Sequence, residues 1–350
     1  MIVPGRSRIL LTLVFLCSLV SAQEKGNIVE RIVRDFFDGI VNPDLKGDPA
    51  YITRPALPWA FTVDNTLIST GVKLHGDMDD AVFDTRLQRH LHKKIGVSGG
   101  YGGLSLSAGT EIGSRNPGKN SFMSLSLSSR SIGGSVSYVK LHEYMDGSLH
   151  FKGTDLAPVR LISEYPAAMR TLSGNVYYVL NSRRFAYKAV TSCNVMQLRS
   201  AGSLVIMAKF SQGDISLDPR DYFMLASTDG LYRYTIQQGS MGVGYSYNFV
   251  PFSRESSNLV FNFTAIPMAS LYNNIYSVNK DEGKDRKTRF DSSMVPVLML
   301  RSGVSYSWDR YGLMASVVYN RFGFKGESTT ISSSAMFDDL TAKISLIVRL

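Results

Sequence analysis

Residues 241–250 have the sequence MGVGYSYNFV, in which large apolar side chains alternate with small or polar ones. Successive side chains of a β-strand point to opposite faces, so the odd positions form one apolar face. The even positions, which are Gly242, Gly244, Ser246 and Asn248, form a second face that suits the filled or wet interior of a barrel. This stretch therefore predicts one strand of a β-barrel whose apolar face points outward.

The same alternation recurs along most of the chain, for example from Leu104 to Gly109, from Met123 to Ser128 and from Val304 to Asp309. No apolar run in the chain is long enough to cross a bilayer as a helix. Bacterial single-chain barrels have an even number of strands, so we expect about 12. Strands are predicted near residues 60–74, 84–101, 103–113, 121–130, 133–146, 172–182, 185–195, 201–211, 231–250, 257–271, 294–308, 310–324 and 340–350, some of them split or merged.

Short joints and long polar insertions separate these segments. The sequences 101–103, 181–184 and 309–310 are turn-like, which indicates consecutive antiparallel hairpins. If the strands alternate in direction, the tight joints face the periplasm and the insertions lie on the extracellular side. The polar insertions, which we expect to be solvated loops, are residues 114–120, 145–155, 212–220 and 279–292.

The N-terminal region differs from the rest. Arg6 and Arg8, the apolar run Ile9–Val20 and the small residues before Gln23 predict a cleaved signal peptide over residues 1–22. Apolar residues at three- and four-residue spacing between Ile28 and Ile40 predict one short amphipathic helix. Several prolines then make an extended linker. The predicted organisation is a signal peptide (1–22), a periplasmic helix and linker (23–58) and an outer-membrane barrel (59–350).

Aromatic residues cluster near the expected strand ends, where their rings can lie at the level of the lipid headgroups. The last strand alternates up to Leu350, as outer-membrane barrels usually do, although its final side chain is not aromatic. The barrel-assembly machinery is the expected partner during biogenesis. The aromatic residues concerned are Tyr177, Tyr178, Phe185, Tyr187, Tyr245, Tyr247, Phe249, Tyr306, Trp308, Tyr311, Tyr319 and Phe322.

Charge and cysteine content narrow the function. The formal net charge is +9, and removal of Arg6 and Arg8 with the signal peptide leaves +7, without a basic block. Outer-membrane lipid, a small solute or an extracellular saccharide are the expected partners, and nucleic acid is not. Only Cys193 remains after cleavage, so no internal disulfide and no zinc or redox pattern is expected.

Two patterns invite a catalytic or metal-binding interpretation. Residues 96–100 match the serine-hydrolase elbow around Ser98, but the elbow requires a helix after the serine and a strand follows here. His90 and His92 share a strand face and could make two metal ligands, but Lys93 and Lys94 disfavour a bound cation. We predict no catalytic, cofactor-binding or metal-binding residue and no cofactor. The histidines, the only candidates for a barrel-borne enzyme, are His75, His90, His92, His142 and His150.

Blocks of the chain resemble a known family. The sequence 96–107 (GVSGGYGGLSLS), then 174–181 (GNVYYVLN) with 184–187 (RFAY), and then 199–203 (RSAGS) are similar, in this order, to the domain-of-unknown-function 4421 family. The resemblance spans residues 51–350. It implies a secreted outer-membrane barrel of Gram-negative bacteria with no assigned activity.

Two classes of function stay open. The first is a passive barrel of the cell outer membrane, either a pore or a structural or surface component. The second is a barrel-borne enzyme that acts on lipid or saccharide. The two differ in what fills the lumen, because a pore needs a continuous water path. The predicted fold is all-β, a closed antiparallel transmembrane barrel of about 12 strands with a short N-terminal amphipathic helix.

Overall fold

The structure is a computed structural model of the 350-residue chain. The predicted signal peptide and the predicted helix from Ile28 to Ile40 lie outside the described residues. Cys193 also lies outside them. The described residues are 47–55, 57–78, 81–88, 92–112, 120–144, 146–152, 159–162, 164–192, 195–221, 231–254, 257–281, 284–291, 295–327 and 331–350.

Eighteen strands account for most of the described residues. No helix in this part of the chain is long and apolar enough to cross a membrane. The strands are β1 (Ile52–Thr53), β2 (Trp59–Met78), β3 (Ala81–Gln88), β4 (His92–Tyr101), β5 (Leu104–Ile112), β6 (Ser121–Ser128), β7 (Ile132–Glu143), β8 (Asp146–Lys152), β9 (Val159–Ile162), β10 (Ala167–Val179), β11 (Met196–Gln197), β12 (Ala201–Ser216), β13 (Leu231–Ser253), β14 (Ser257–Asp281), β15 (Lys284–Asp291), β16 (Pro296–Trp308), β17 (Tyr311–Glu327) and β18 (Ile331–Arg349).

Twelve of these strands form a closed antiparallel barrel. Their order around the ring is β2, β4, β5, β6, β7, β10, β12, β13, β14, β16, β17 and β18, and β18 pairs with β2 to close it. The closing ladder runs without a shift from Ala60 opposite Arg349 to Met78 opposite Ile331. Closure leaves the ring without a free edge strand. The predicted closed antiparallel barrel and its strand number are confirmed.

The alternation in the sequence corresponds to the two faces of the barrel wall. Val97, Ile344 and Leu346, which point outward, have exposed fractions of 57%, 58% and 59%. The inward neighbours are buried and small or polar, for example Ser246 and Asn248 on β13. This placement of side chains is the reverse of that in a water-soluble protein, because the apolar residues form the outside of the wall.

The ring has two distinct ends. At the turn end, β4 and β5 are joined through Gly102 and Gly103, and β16 and β17 through Asp309 and Arg310. Gly102 and Asp309 have positive φ angles of 55° and 45°, a conformation that glycine adopts freely and aspartate tolerates. Leu350 pairs with Trp59 there, so the first and last barrel strands share this end. The other end is the loop end.

At the loop end, several strands continue beyond the ring and pair with additional strands that are not part of it. β3 pairs with β2 and β8, and β8 pairs with β9. The predicted strand 84–101 was wrong as one element, because its first part forms β3 outside the ring and its second part forms β4 within it. The predicted loop 279–292 was also wrong, because β14 runs to Asp281 and pairs with β15, which spans Lys284–Asp291. β12 likewise runs to Ser216, and β8 occupies part of the predicted loop 145–155.

Polar contacts join two connections at the loop end. The Asp221 carboxylate, which is buried, accepts hydrogen bonds from the backbone N–H groups of Glu164 (3.0 Å) and Tyr165 (3.4 Å). Arg220 lies over the Tyr165 ring at 4.5 Å. Hydrogen bonds from Arg220 lower the pKa of Asp218 to about 2. Residues 164–165 are thereby held against residues 218–221.

Two glycines shape the inner wall of β13. A Cβ atom added to Gly242 would collide with the carbonyl of Pro267, and one added to Gly244 would approach Ile266 Cα to 2.6 Å. The backbones of β13 and β14 therefore approach each other more closely than any side chain at these positions would allow. This close approach of the two strands lies beside Ile266 and Met268, which belong to the apolar cluster that the barrel buries in its lumen.

Candidate functional site in the barrel lumen

A turn-rich stretch between β10 and β12 lies in the lumen at the turn end. We call residues 181–192 the inward segment. Backbone hydrogen bonds fold it, among them Phe185 N to Asn181 O (3.0 Å) and Ser192 N to Lys188 O (2.9 Å). The chain then returns as β11, which pairs with β1. The predicted strand 185–195 was therefore wrong.

Two aromatic side chains of the inward segment pack on an apolar part of the inner wall. Phe185 is fully buried, and Tyr187 has an exposed fraction of 6%. The Tyr177 and Tyr187 rings are 4.5 Å apart between centroids. Since such packing excludes water, this side of the lumen is filled. The wall residues in this cluster are Tyr177, Val179, Val205, Met207, Ile266, Met268, Val297 and Met299.

These positions correct the prediction for three aromatic residues. Tyr177, Phe185 and Tyr187 were assigned to the headgroup level, but they are buried in the interior. Tyr245 and Phe249 do face outward, with exposed fractions of 52% each. Sequence position near a strand end does not distinguish a ring that points outward from one that points into the lumen.

Gln197 of β11 connects the inward segment to the barrel and to β1. Its amide nitrogen donates to the carbonyl oxygens of Arg184 (2.6 Å), Arg199 (2.9 Å) and Tyr51 (3.2 Å). Its amide oxygen accepts from Ala186 N (2.8 Å) and from Asn248 Nδ2 on β13 (3.1 Å). A fully buried side chain with this many partners holds one conformation, because each lost partner leaves a buried polar group unsatisfied.

Arg301 of β16 binds the inward segment from one wall. Its Nη2 donates to Tyr187 O (3.1 Å) and Thr264 Oγ1 (3.3 Å), and its Nε donates to Asn262 Oδ1 (3.3 Å). The guanidinium also lies 4.1 Å from the centre of the Tyr187 ring. The buried charge is therefore satisfied by carbonyl, hydroxyl and amide oxygens and by an aromatic face.

Lys188 reaches the opposite wall. Its Nζ donates to Ser126 Oγ on β6 at 3.1 Å. β6 lies six strands from β16 in both directions around the ring, so the two strands are diametrically opposed. Arg301, Tyr187, Lys188 and Ser126 form a continuous chain of contacts across the lumen. The inward segment thus spans the full diameter of the barrel.

Charged residues line the lumen beyond the inward segment, toward the loop end. Lys343 Nζ lies 3.3 Å from Asp64 Oδ1, and Thr66 Oγ1 donates to Asp64 Oδ2 at 3.2 Å. Lys209 of β12 donates to Asn320 Oδ1 of β17 at 3.4 Å, and three strands of the ring lie between β12 and β17. This second, polar crossing narrows the lumen further.

Of the histidine candidates, His92 has its side chain in a hydrogen-bonded network on the inner wall, and His142 joins that network through its backbone. His92 Nδ1 contacts Glu111 Oε1, and Asn120 Nδ2 donates to Glu111 Oε2. Asn120 Oδ1 accepts from the backbone N–H of His142 at 2.7 Å. His90 lies outside the described residues, and the side chains of His75 and His150 are not described. No group of three or more metal-binding side chains occurs within the ranges that the structure describes.

Ser98 does not lie on a nucleophile elbow. It is in the middle of β4, opposite Thr62 of β2 and Ser107 of β5 in unshifted antiparallel ladders. The strained strand-to-helix turn that exposes a catalytic serine is absent at this position. Ser98 is one of several inward serines, and Ser107 and Ser124 hydrogen-bond to each other across β5 and β6 (2.6 Å).

Sequence reasoning missed the inward segment and Arg301, although both left a signal. Residues 185–190 are apolar on both alternating faces except at Lys188, a pattern typical of a segment that is buried on all sides. Arg301 follows the apolar residues 297–300, and the strand parity turns it inward. A charged residue on the inner face of a strand needs a partner in the lumen.

Comparison with solved structures finds barrels of low similarity, among them the following three. The outer membrane protease OmpT of Escherichia coli is 7% identical (TM-score 0.38), and the alignment covers 87% of this chain and 100% of that one. The beta domain of the Bordetella autotransporter BrkA is 11% identical (TM-score 0.34), with 82% and 99% covered. The toluene transporter TbuX of Ralstonia pickettii is 9% identical (TM-score 0.32), with 84% and 90% covered. Similarity at this level does not identify an activity.

No curated protein matches the chain by sequence. The sequence profile of one family matches residues 46–344, which include the inward segment, eleven strands of the ring in full and β18 as far as Ile344. The match confirms the resemblance seen in the blocks around residues 96–107 and 174–203. The chain belongs to the family described as domain of unknown function (DUF4421).

Proposed function

We propose that the protein is an outer-membrane β-barrel whose lumen is closed at the turn end, and that it serves as a structural or surface component rather than as an open diffusion pore. The observation that carries this proposal is the chain of contacts from Arg301 through Tyr187 and Lys188 to Ser126, which crosses the lumen. A solute path would have to displace it.

The outer face supports the membrane location. Large apolar side chains are exposed on the outer face of every strand of the ring, among the residues that the structure describes. Water-soluble proteins do not expose an apolar surface of this extent. β5 and β6 have 9 and 8 residues, close to the roughly 9–11 that a tilted strand needs to span a bilayer. β13 and β14, with 23 and 25 residues, would extend beyond the bilayer at the loop end.

Aromatic residues at the turn end support the orientation in the membrane. Trp59 and Tyr101 are 4.9 Å apart between ring centroids, and Trp308 lies 5.2 Å from Tyr306 and 6.1 Å from Tyr311. Such rings favour the headgroup region of a bilayer. Short turns lie at this end, and so do the start of the first barrel strand and the end of the last one. We therefore assign it to the periplasmic side, as in other outer-membrane barrels.

Membrane fractionation combined with gel electrophoresis tests the proposal. The protein expressed with its N-terminal region should sediment with outer membranes and require detergent for extraction. Unboiled samples should migrate differently from boiled ones, because a closed barrel resists unfolding by detergent. Recovery of the protein in the soluble fraction without detergent would contradict the membrane location.

A further inference from the structure

A cavity of about 840 Å³ lies at the turn end. Ala50, Thr53–Pro55 and Leu57 border it on one side, and the rim of the barrel at β13, β16 and β18 borders it on the other. β11 and the residues after it complete the wall, so the cavity sits between the β1–β11 ribbon and the barrel mouth. We call it the turn-end cavity. Its volume is within the range of small-molecule sites.

The lining of the turn-end cavity is strongly basic. Asp309 is the one acidic residue among the lining residues that the structure describes. A concave surface with one predominant sign of charge concentrates ions of the opposite sign. The basic lining residues are Arg54, Arg199, Arg254, Arg310 and Arg349.

Arg349 lines this cavity with a side chain that is buried and held in place by hydrogen bonds. Its side chain is 2% exposed, and its Nη1 and Nη2 donate to Asp309 O and Ser307 Oγ, both at 3.1 Å. Its Nε is buried and has no hydrogen-bond partner among the described residues. A guanidinium fixed in this way has neutral partners only, so its positive charge at the cavity wall is not balanced by a carboxylate of the described residues.

Arg254 and Arg310 provide further donors at the cavity rim. Both side chains are exposed, and neither forms an ion pair with a described residue. They lie on two different turns, the one between β13 and β14 and the one between β16 and β17. Guanidinium groups that converge from separate turns suit an anion with more than one charged group, because the planar fork binds phosphate and carboxylate in two-point contacts.

We propose that the turn-end cavity binds a small polyanion bearing phosphate or carboxylate groups. The anion enters from the side of the membrane at which the first barrel strand begins and the last barrel strand ends. This binding is independent of whether the lumen conducts. It would give a closed barrel a ligand on its periplasmic face.

Tryptophan fluorescence offers a direct test, since the chain has only two tryptophans and both lie near the cavity. Trp308 directly precedes Asp309, and Trp59 pairs with Leu350, which follows Arg349. The full chain, refolded in an uncharged detergent, is titrated with inorganic pyrophosphate and, separately, with citrate at constant ionic strength. We expect a saturable change with at least one probe and weaker binding as sodium chloride is raised. A response to one probe alone assigns the phosphate or the carboxylate class.

Matched variants distinguish binding in the turn-end cavity from nonspecific electrostatic attraction of the anion to the protein. Arg254→Gln combined with Arg310→Gln should weaken binding by roughly tenfold or more, since two charge-assisted contacts are lost. Arg220→Gln, which removes one exposed arginine at the loop end, should leave the affinity unchanged. Heat-modifiable mobility confirms that each variant is folded. Absence of a saturable response to both probes, or equal affinities of the double variant and the unmodified chain, would overturn the proposal.

Discussion

Replacement of residues 182–202 by Asn-Gly should convert the closed barrel into a conducting one. Asn181 and Ser203 would then be joined by a two-residue turn, and Val179 already lies opposite Val205 in the ladder between β10 and β12. The variant lacks the crossing between Arg301 and Ser126. A barrel of 12 strands is wider than those of about 8 strands, whose interior side chains fill. We therefore expect ion flux through planar bilayers to rise by on the order of tenfold or more.

A control is needed because the same replacement removes part of the buried apolar cluster. Heat-modifiable mobility must show that the variant folds before its conductance is interpreted. Substitution of Lys188 and Arg301 by alanine in the full-length segment provides a second route, since it cuts the crossing at both walls and keeps Phe185. If the folded variants conduct no better than the unmodified chain, the inward segment is not the barrier.

Phe185→Ala should lower the free energy of unfolding by about 3–5 kcal/mol, the usual cost of truncating a buried phenylalanine. The Phe185 side chain is fully buried among Tyr177, Val205 and other wall residues, so its removal leaves a cavity. Denaturant titration of the refolded protein in lipid vesicles, followed by tryptophan fluorescence, measures the change.

Arg183→Ala is the matched control for this substitution. Arg183 is in the same segment and its side chain is exposed, so we expect a change within about 0.5 kcal/mol. Equal unfolding midpoints for the two variants would mean that Phe185 does not anchor the inward segment to the wall.

The strands of the ring could be predicted from the sequence because one physical rule governs them. In a barrel with lipid outside, every strand must alternate, and Met241 to Phe249 on β13 follow that rule at each position. Two-residue joints such as Gly102-Gly103 and Asp309-Arg310 are equally visible, since their conformations favour particular residues.

The contents of the lumen could not be predicted in the same way. Which residue faces Arg301 depends on a contact with Tyr187, more than a hundred positions away in the chain. Phe185 and Tyr187 alternate like strand residues, and only the closed ring reveals that their partners are on the inside. The strand extensions at the loop end were missed for a related reason, because the polar residues 279–281 pair with the polar residues 284–286 without any apolar signal.

Site-directed spin labelling of β13 tests the central claim most directly. Single cysteines at positions 241, 243, 245, 247 and 249, and at 240, 246 and 248, are introduced into a chain without its native cysteines and labelled in lipid vesicles. We predict that the odd positions are accessible to oxygen dissolved in the bilayer, whereas the even positions are shielded from it by the filled lumen. Equal accessibility of both sets to a water-soluble relaxation agent would contradict a lipid-facing barrel wall.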